Sequence, residues 1–233
     1  MYPIGKELFK EEILMERYEK NMSMLTLDEN TKLKDFKVCV VGCGGLGGYI
    51  VEMISRLGIG TITIVDGDIF NTSNLNRQLY SDENSLGKYK AMIAKERIKI
   101  VNSLVKINVF TEYLGEDNGE EILRDHDVIV DALDNMSTRK LLQDFGEKLK
   151  IPFVHGAIAG WYGQVSTILP GDKTLDIIYP NEGEKGLENK LGNPSFTPAL
   201  VASIQVSEVL KILIGRGELL QNKILYINLL NQD

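Results

Sequence analysis

From residue 36 onward, apolar positions alternate between two rhythms. Short runs without internal alternation occur at Phe36 to Val41, Thr61 to Val65, Ile107 to Phe110, Val128 to Val130 and Phe153-Val154. Such runs suit strands buried on both faces of a parallel sheet. Between them, apolar residues recur at helical spacing. Ile50, Val51, Ile54 and Leu57 predict a helix over 44–57 with Gly58 as its stop, and Ile93, Ala94, Ile98 and Val101 predict one over 88–101. A short helix is expected over 120–123, and another runs to about Leu149 with Ser137 as its cap. Strand, glycine turn, helix and strand, repeated with helix-length spacers, predict a doubly wound, Rossmann-like α/β fold with right-handed crossovers.

The rhythm changes after Gly156. The runs Gly163 to Leu169 and Lys223 to Ile227 read as strands that extend the sheet in antiparallel fashion, making it mixed. Pro198 to Leu213 reads as a largely buried helix through Leu200, Ile204, Val206, Val209, Leu210 and Leu213. Between them, residues 176–197 are polar and long for a loop in a compact domain, as functional or mobile loops are. Ahead of the first strand, Lys6 to Met22 reads as a charged amphipathic helix. This divides the chain into an N-terminal helical arm, 1–35, and one globular domain, 36–233.

Composition narrows the class. A chain of 233 residues with 43% hydrophobic content suits one α/β domain with a modest appendage. A net charge of −7 gives no footprint for nucleic acid or an anionic membrane, so any phosphate binding must be local. The two cysteines, Cys39 and Cys43, cannot bridge along an extended strand, which points to a reduced, cytoplasmic setting. No stretch is expected to be long and apolar enough to span a membrane, and no signal peptide is expected.

Candidate chemistry lies in three loops that rim the carboxyl ends of the strands, where open parallel sheets hold ligands. Gly42, Gly44 and Gly47, within Gly42-Cys43-Gly44-Gly45-Leu46-Gly47, permit a tight turn and close approach of a phosphate to a helix N-terminus. Asp66 ends the second strand and is placed to accept hydrogen bonds from ribose hydroxyls. Alone, this pair reads as dinucleotide binding. Arg77, Lys90 and Asp134 change that reading: two cations and a further carboxylate suit a triphosphate and Mg²⁺. The bland alternatives are surface charge for Arg77 and Lys90, a capping acid for Asp134, and a solvated helix charge for Arg17. His155 reads as a core histidine.

Six motifs together resemble the MoeB/ThiF/HesA adenylyltransferases, relatives of the ubiquitin-activating enzymes. They are Arg17-Tyr18, the glycine run 42–47, Val65-Asp66-Gly67-Asp68, Asn74-Leu75-Asn76-Arg77-Gln78, Gly87-Lys88-Tyr89-Lys90 and Asp131-Ala132-Leu133-Asp134-Asn135. The resemblance implies that the domain binds ATP and Mg²⁺ and adenylates the C-terminal glycine of a small ubiquitin-like protein, releasing pyrophosphate. It assigns Asp66 to the ribose, Asn74, Arg77 and Lys90 to the phosphates, and Asp134 to Mg²⁺. It also places Gly42, Gly44, Gly45, Leu46, Gly47, Asp68, Gln78 and Asn135 among the nucleotide-binding residues. Arg17 would reach the triphosphate of a neighbouring subunit, which implies a homodimer.

The chain departs from the family in two respects. No cysteine follows Cys43, so neither the structural zinc of many members nor a transfer cysteine in the 176–197 loop is expected. The chemistry would then stop at the adenylate or pass it to another protein's nucleophile. Lys20-Asn21 also stands where the family usually has Arg-Gln. The competing readings are adenylation of a non-protein carboxylate or tRNA base, an NAD(P)-binding oxidoreductase, and an inactive partner subunit.

Overall fold

The structure, a computed structural model, describes residues 16–180 and 188–232. Its centre is a seven-stranded sheet in the order β3-β2-β1-β4-β5-β6-β7. The strands are β1 (Lys37–Val41), β2 (Thr61–Val65), β3 (Lys106–Phe110), β4 (Val128–Asp131), β5 (Phe153–Ala159), β6 (Tyr162–Ile168) and β7 (Leu225–Asn228). β3 through β5 run parallel, and β6 and β7 continue the sheet antiparallel. The expected mixed sheet is present.

The missing alternation in β1 has a direct cause. Val38 and Val40 face one core while Cys39 and Val41 face the other, so every position from 38 to 41 is buried. The first core lies under α2 (Gly45–Leu57), α3 (Lys90–Val101) and α8 (Phe196–Ile214). The second lies under α4 (Gly119–Leu123), α5 (Met136–Leu149) and α6 (Thr174–Ile178). Two short helices, α1 (Leu27–Lys32) and α7 (Glu188–Leu191), complete the described elements. α2 stops at Gly58, whose φ of +95° and amide bonds to the Ile54 and Ser55 carbonyls make a left-handed cap.

Several expectations are corrected. Asn135, not Ser137, caps α5: its Oδ1 accepts from the Thr138 amide at 2.9 Å. Ser137 instead donates to that same oxygen. β5 runs five residues beyond Val154, because it forms a hairpin with β6 in the register Phe153↔Ile168 to Ala159↔Tyr162. The 176–197 stretch holds α7 and the end of α6, with 181–187 outside the described residues. Leu200 stays 37% exposed although it lies on the buried-helix pattern. Phe196–Ile214 does reach the length and apolar character of a membrane-crossing helix, contrary to the sequence reading. It packs on α2 and on β4–β6. Side chains meet so closely there that a Cβ at Gly156 would collide with Gln205, and one at Gly163 with Val201.

Most of the expected helix over 6–22 lies outside the described residues. What is described ends it at Arg17, followed by a 3-10 turn at Glu19–Asn21. Tyr18 is buried beside Gly58, and its hydroxyl accepts from Asn102 Nδ2 at 2.8 Å.

Candidate active site

The loops after β1, β2, β3 and β4 meet over the carboxyl edge of the sheet around a cavity of about 830 Å³. The glycine run divides into two kinds of position. A Cβ at Gly42, whose φ is +97°, would collide with the Ala132 carbonyl, and one at Gly47 with the Gly42 carbonyl. These two glycines let the β1 turn, the start of α2 and the β4 loop close on one another. Gly44, Gly45 and Leu46 line the cavity, with the first amides of α2 at its floor. Such amides lack intrahelical acceptors and favour an anion.

Asp66 ties two of the loops together. Its Oδ2 accepts from the Cys43 amide at 2.6 Å, and its Oδ1 from the Asp68 amide at 2.8 Å. Burial pushes its pKa up, against the opposing pull of those amides and of Lys90. Each oxygen keeps a second lone pair for a ligand hydroxyl.

Asp68 is shared. Oδ2 pairs with Lys90 Nζ at 2.9 Å, and Oδ1 accepts from the Tyr113 hydroxyl at 2.5 Å. Desolvation works to raise the Asp68 pKa, but the bonds from Tyr113 and Lys90 outweigh it and hold the carboxyl below its usual range. Lys90, at the first turn of α3, has its side chain only 8% exposed.

Arg77 lines the cavity from a half-buried position, braced by bonds from Nη1 to the Ser73 carbonyl at 2.9 Å and Asn76 Oδ1 at 3.0 Å. Gln78 is buried beside Gly44, and its Oε1 has no hydrogen-bond partner among the described residues. A buried acceptor of this kind favours a donor from a ligand or water. Asp134 and Asn135 are exposed at the rim.

Three of the sequence-predicted residues stand apart from the cavity wall. Asn74 is buried and caps its own turn, Oδ1 accepting from the Asn71 amide at 2.9 Å. Gly47 faces the Gly42 carbonyl. Arg17 donates to the Val101 carbonyl at 3.0 Å, away from this chain's cavity. A second, shallower depression of about 580 Å³ runs along β3 between Lys37, Lys106 and Arg124, and contains none of the predicted residues.

The sequence model of the ThiF family matches residues 18–233. The chain belongs to the ThiF family. It is 33% identical over 227 residues to the sulfur carrier protein adenylyltransferase of Thermus thermophilus, covering 93% of this chain and 83% of that one. It is 34% identical over 219 residues to the probable molybdopterin-synthase adenylyltransferase of Porphyra purpurea, covering 91% of this chain but only 57% of that longer protein. Among solved structures, the E. coli tRNA N6-threonylcarbamoyladenosine dehydratase in complex with ATP superposes with a TM-score of 0.73 at 23% identity, covering 86% of this chain and 95% of that one. That level of identity establishes the fold alone.

In this ThiF-family chain further residues, unmarked by any sequence motif, join the site. Tyr113, on the loop after β3, joins the wall through Asp68. Asn193 joins it from the far side, its carbonyl accepting from Asn76 Nδ2 at 3.0 Å. Arg139 lines the cavity although it reads as an ordinary helix charge in sequence. Its Nη2 donates to the Leu133 carbonyl and its Nε lies 3.2 Å from Asp131 Oδ2. His155 is fully buried, Nδ1 lying 2.7 Å from Asp131 Oδ2, and desolvation lowers its pKa and keeps the ring neutral. The one available signal was spacing: Arg139 follows Asp134 by five residues, which brings it back under the loop on the first turns of α5.

Proposed function

We propose that this ThiF family member is an ATP-dependent adenylyltransferase that activates the C-terminal glycine carboxylate of a small ubiquitin-like sulfur-carrier protein and releases pyrophosphate. The observation that carries this reading is the convergence of Arg77, Lys90 and Asp134 on one cavity floored by a helix N-terminus. A dinucleotide site has no use for that set beside a single nucleotide-binding acid. The names of the relatives in Thermus and Porphyra agree with it.

In the reaction, the acceptor carboxylate forms a bond to the α-phosphorus of ATP as the α–β bridging bond breaks. A carboxylate is already ionised at neutral pH, so no general base is required. The remaining task is to align two anions and stabilise the leaving group. Asp66 holds the ribose hydroxyls, the α2 amides and Gln78 face the nucleotide, and Arg77 and Lys90 take the β- and γ-phosphates. Asn74 acts indirectly, by fixing the turn that carries Arg77.

Among the described residues, no group of three or more acidic, His or Cys side chains could enclose a metal. One exposed carboxylate, Asp134, nonetheless fits Mg²⁺, which is held through one or two carboxylates with phosphate oxygens and waters as its other ligands. Mg²⁺ bound there would supply charge neutralisation of the triphosphate. We further place the nucleotide machinery in one domain, 36–233, with 1–35 as an arm, and the protein as a cytoplasmic homodimer in which Arg17 contributes to the partner's site.

Calorimetric titration with ATP and with NADH, followed by intact-mass analysis of a Gly-Gly-ended carrier incubated with enzyme and ATP, tests the reading. Tight ATP binding and a carrier adenylate are expected. NADH binding in preference to ATP, or no adenylate on any such carrier, overturns it.

A further inference from the structure

A polar network lies beneath the cavity and joins four elements to the residue that follows a fifth. Asp131 ends β4, Arg139 is on α5, His155 is on β5, Gln164 is on β6, and Tyr179 directly follows α6. Asp131 and His155 are fully buried, and Arg139 is 6% exposed. The Tyr179 hydroxyl accepts from Gln164 Nε2 at 2.6 Å and from Arg139 Nη1 at 3.3 Å, and lies 3.3 Å from His155 Nε2. The Tyr179 ring meets His155 edge-on at 5.7 Å and lies 5.9 Å from the Arg139 guanidinium. With His155 Nδ1–H donating to Asp131, Nε2 is left as an acceptor that both the hydroxyl and Gln164 Nε2, 3.2 Å away, face.

The network reaches the cavity through Arg139. The same guanidinium that meets Tyr179 holds the carbonyl of Leu133, the residue before Asp134. From the other side, Asp131 Oδ1 accepts from the Leu133 amide at 2.9 Å. Both polar groups of the Leu133 backbone are therefore set by members of the network. A buried charge pair holds its geometry only while its remaining hydrogen bonds are satisfied. The backbone just before Asp134 is thus tied, through Arg139, to a hydroxyl in a different part of the chain.

That part is not incidental. α6 docks on α5 through Leu175, whose amide donates to Gln143 Oε1 at 3.1 Å. After Tyr179 the chain leaves α6, and it is back at the cavity mouth at Asn193.

We propose that Tyr179 is a positioning residue for the reaction: through Arg139 its hydroxyl sets the Leu133–Asp134 turn, coupling the residue after α6 to the carboxylate at the cavity mouth. The catalytic part of this inference rests on the adenylyltransferase reading; the coupling itself does not.

The test compares Tyr179→Phe, which keeps the ring and removes the hydroxyl, with Leu175→Ala, which loosens α6 without touching the network. Amide hydrogen exchange of the unliganded full chain is read first. Tyr179→Phe is expected to speed exchange at residues 132–136, while Leu175→Ala speeds it only near α6. In steady state Tyr179→Phe is expected to lower kcat about tenfold, the scale of one lost buried hydrogen bond, with the KM for ATP changed less than threefold. Arg139→Lys, which cannot reproduce the fork, should share the defect. Unchanged exchange at 132–136 in Tyr179→Phe overturns the coupling, and faster exchange there with wild-type kcat overturns the positioning role. A wild-type chain without adenylating activity overturns the function proposed above and leaves the exchange comparison to decide the coupling.

Discussion

Lys90 is not a free cation: its ammonium lies 2.9 Å from Asp68, whose other oxygen is held by Tyr113 at 2.5 Å. The arrangement fixes a nearly buried ammonium, so that an anion binding to it would cost little rotamer freedom. In the function proposed above, Asp68 would belong to the binding apparatus through this contact.

Replacing the cations tests that apparatus. Lys90→Ala is expected to lower kcat/KM by about 10²-fold or more, the scale of a lost phosphate-stabilising contact. Arg77→Ala should do likewise, and Lys90→Arg should not restore activity, because the narrow site beside Asp68 suits a point charge. Steady-state kinetics with circular dichroism as a fold control reads the result.

Asp68→Asn removes a charge whose titration carries a sign. The folded-state pKa is depressed, so its contribution to stability is present above the ordinary carboxylate value of about 4 and is lost as pH falls through the lower folded value. Urea midpoints measured from pH 6 to pH 3 should fall less steeply in Asp68→Asn than in the wild type.

The buried histidine acts on the same, acidic side of the pH range, but at higher pH. Desolvation lowers the folded pKa of His155, so the unfolded chain binds the additional proton. Stability is therefore full above the unfolded value of about 6.5 and declines below it. His126, also lowered by burial, adds to the same decline. A double substitution of both histidines should flatten the dependence between pH 7 and pH 5.

Gly47→Ala tests the close packing of the glycine run. Its Cβ would collide with the Gly42 carbonyl and press on the Ala132 Cβ, with no long flexible side chain to yield. A loss of about 2–3 kcal/mol in urea unfolding is expected. Gly87→Ala is a useful contrast: nothing lies near its Cβ, so only the strain of its φ of +78° is felt.

Much of this fold is legible in the sequence because burial on both sheet faces leaves a continuous apolar signal, as in Val38 to Val41. Asp66 and the glycine run are legible because local backbone geometry dictates them. What stayed hidden depends on partners distant in the chain. Arg139 looks like any helix charge until β4 and β5 cover it, and Tyr179 acquires its role only when α6 docks on α5. Asn135 took the cap from Ser137 because its extended φ and ψ of −121° and 142° place its side chain before the first turn. β5 outran its apolar core because hairpin pairing, which periodicity does not report, extended it.

The most direct test of the central claim is exchange of labelled pyrophosphate into ATP, measured with and without a small protein ending in Gly-Gly, for the wild type and for Asp134→Ala. Asp134 is exposed at the rim, so its replacement should leave the melting temperature unchanged. Carrier-dependent exchange in the wild type, reduced at least about 10²-fold in Asp134→Ala, is the predicted result. Absence of carrier-dependent exchange in the wild type, or undiminished exchange in Asp134→Ala, would contradict the account.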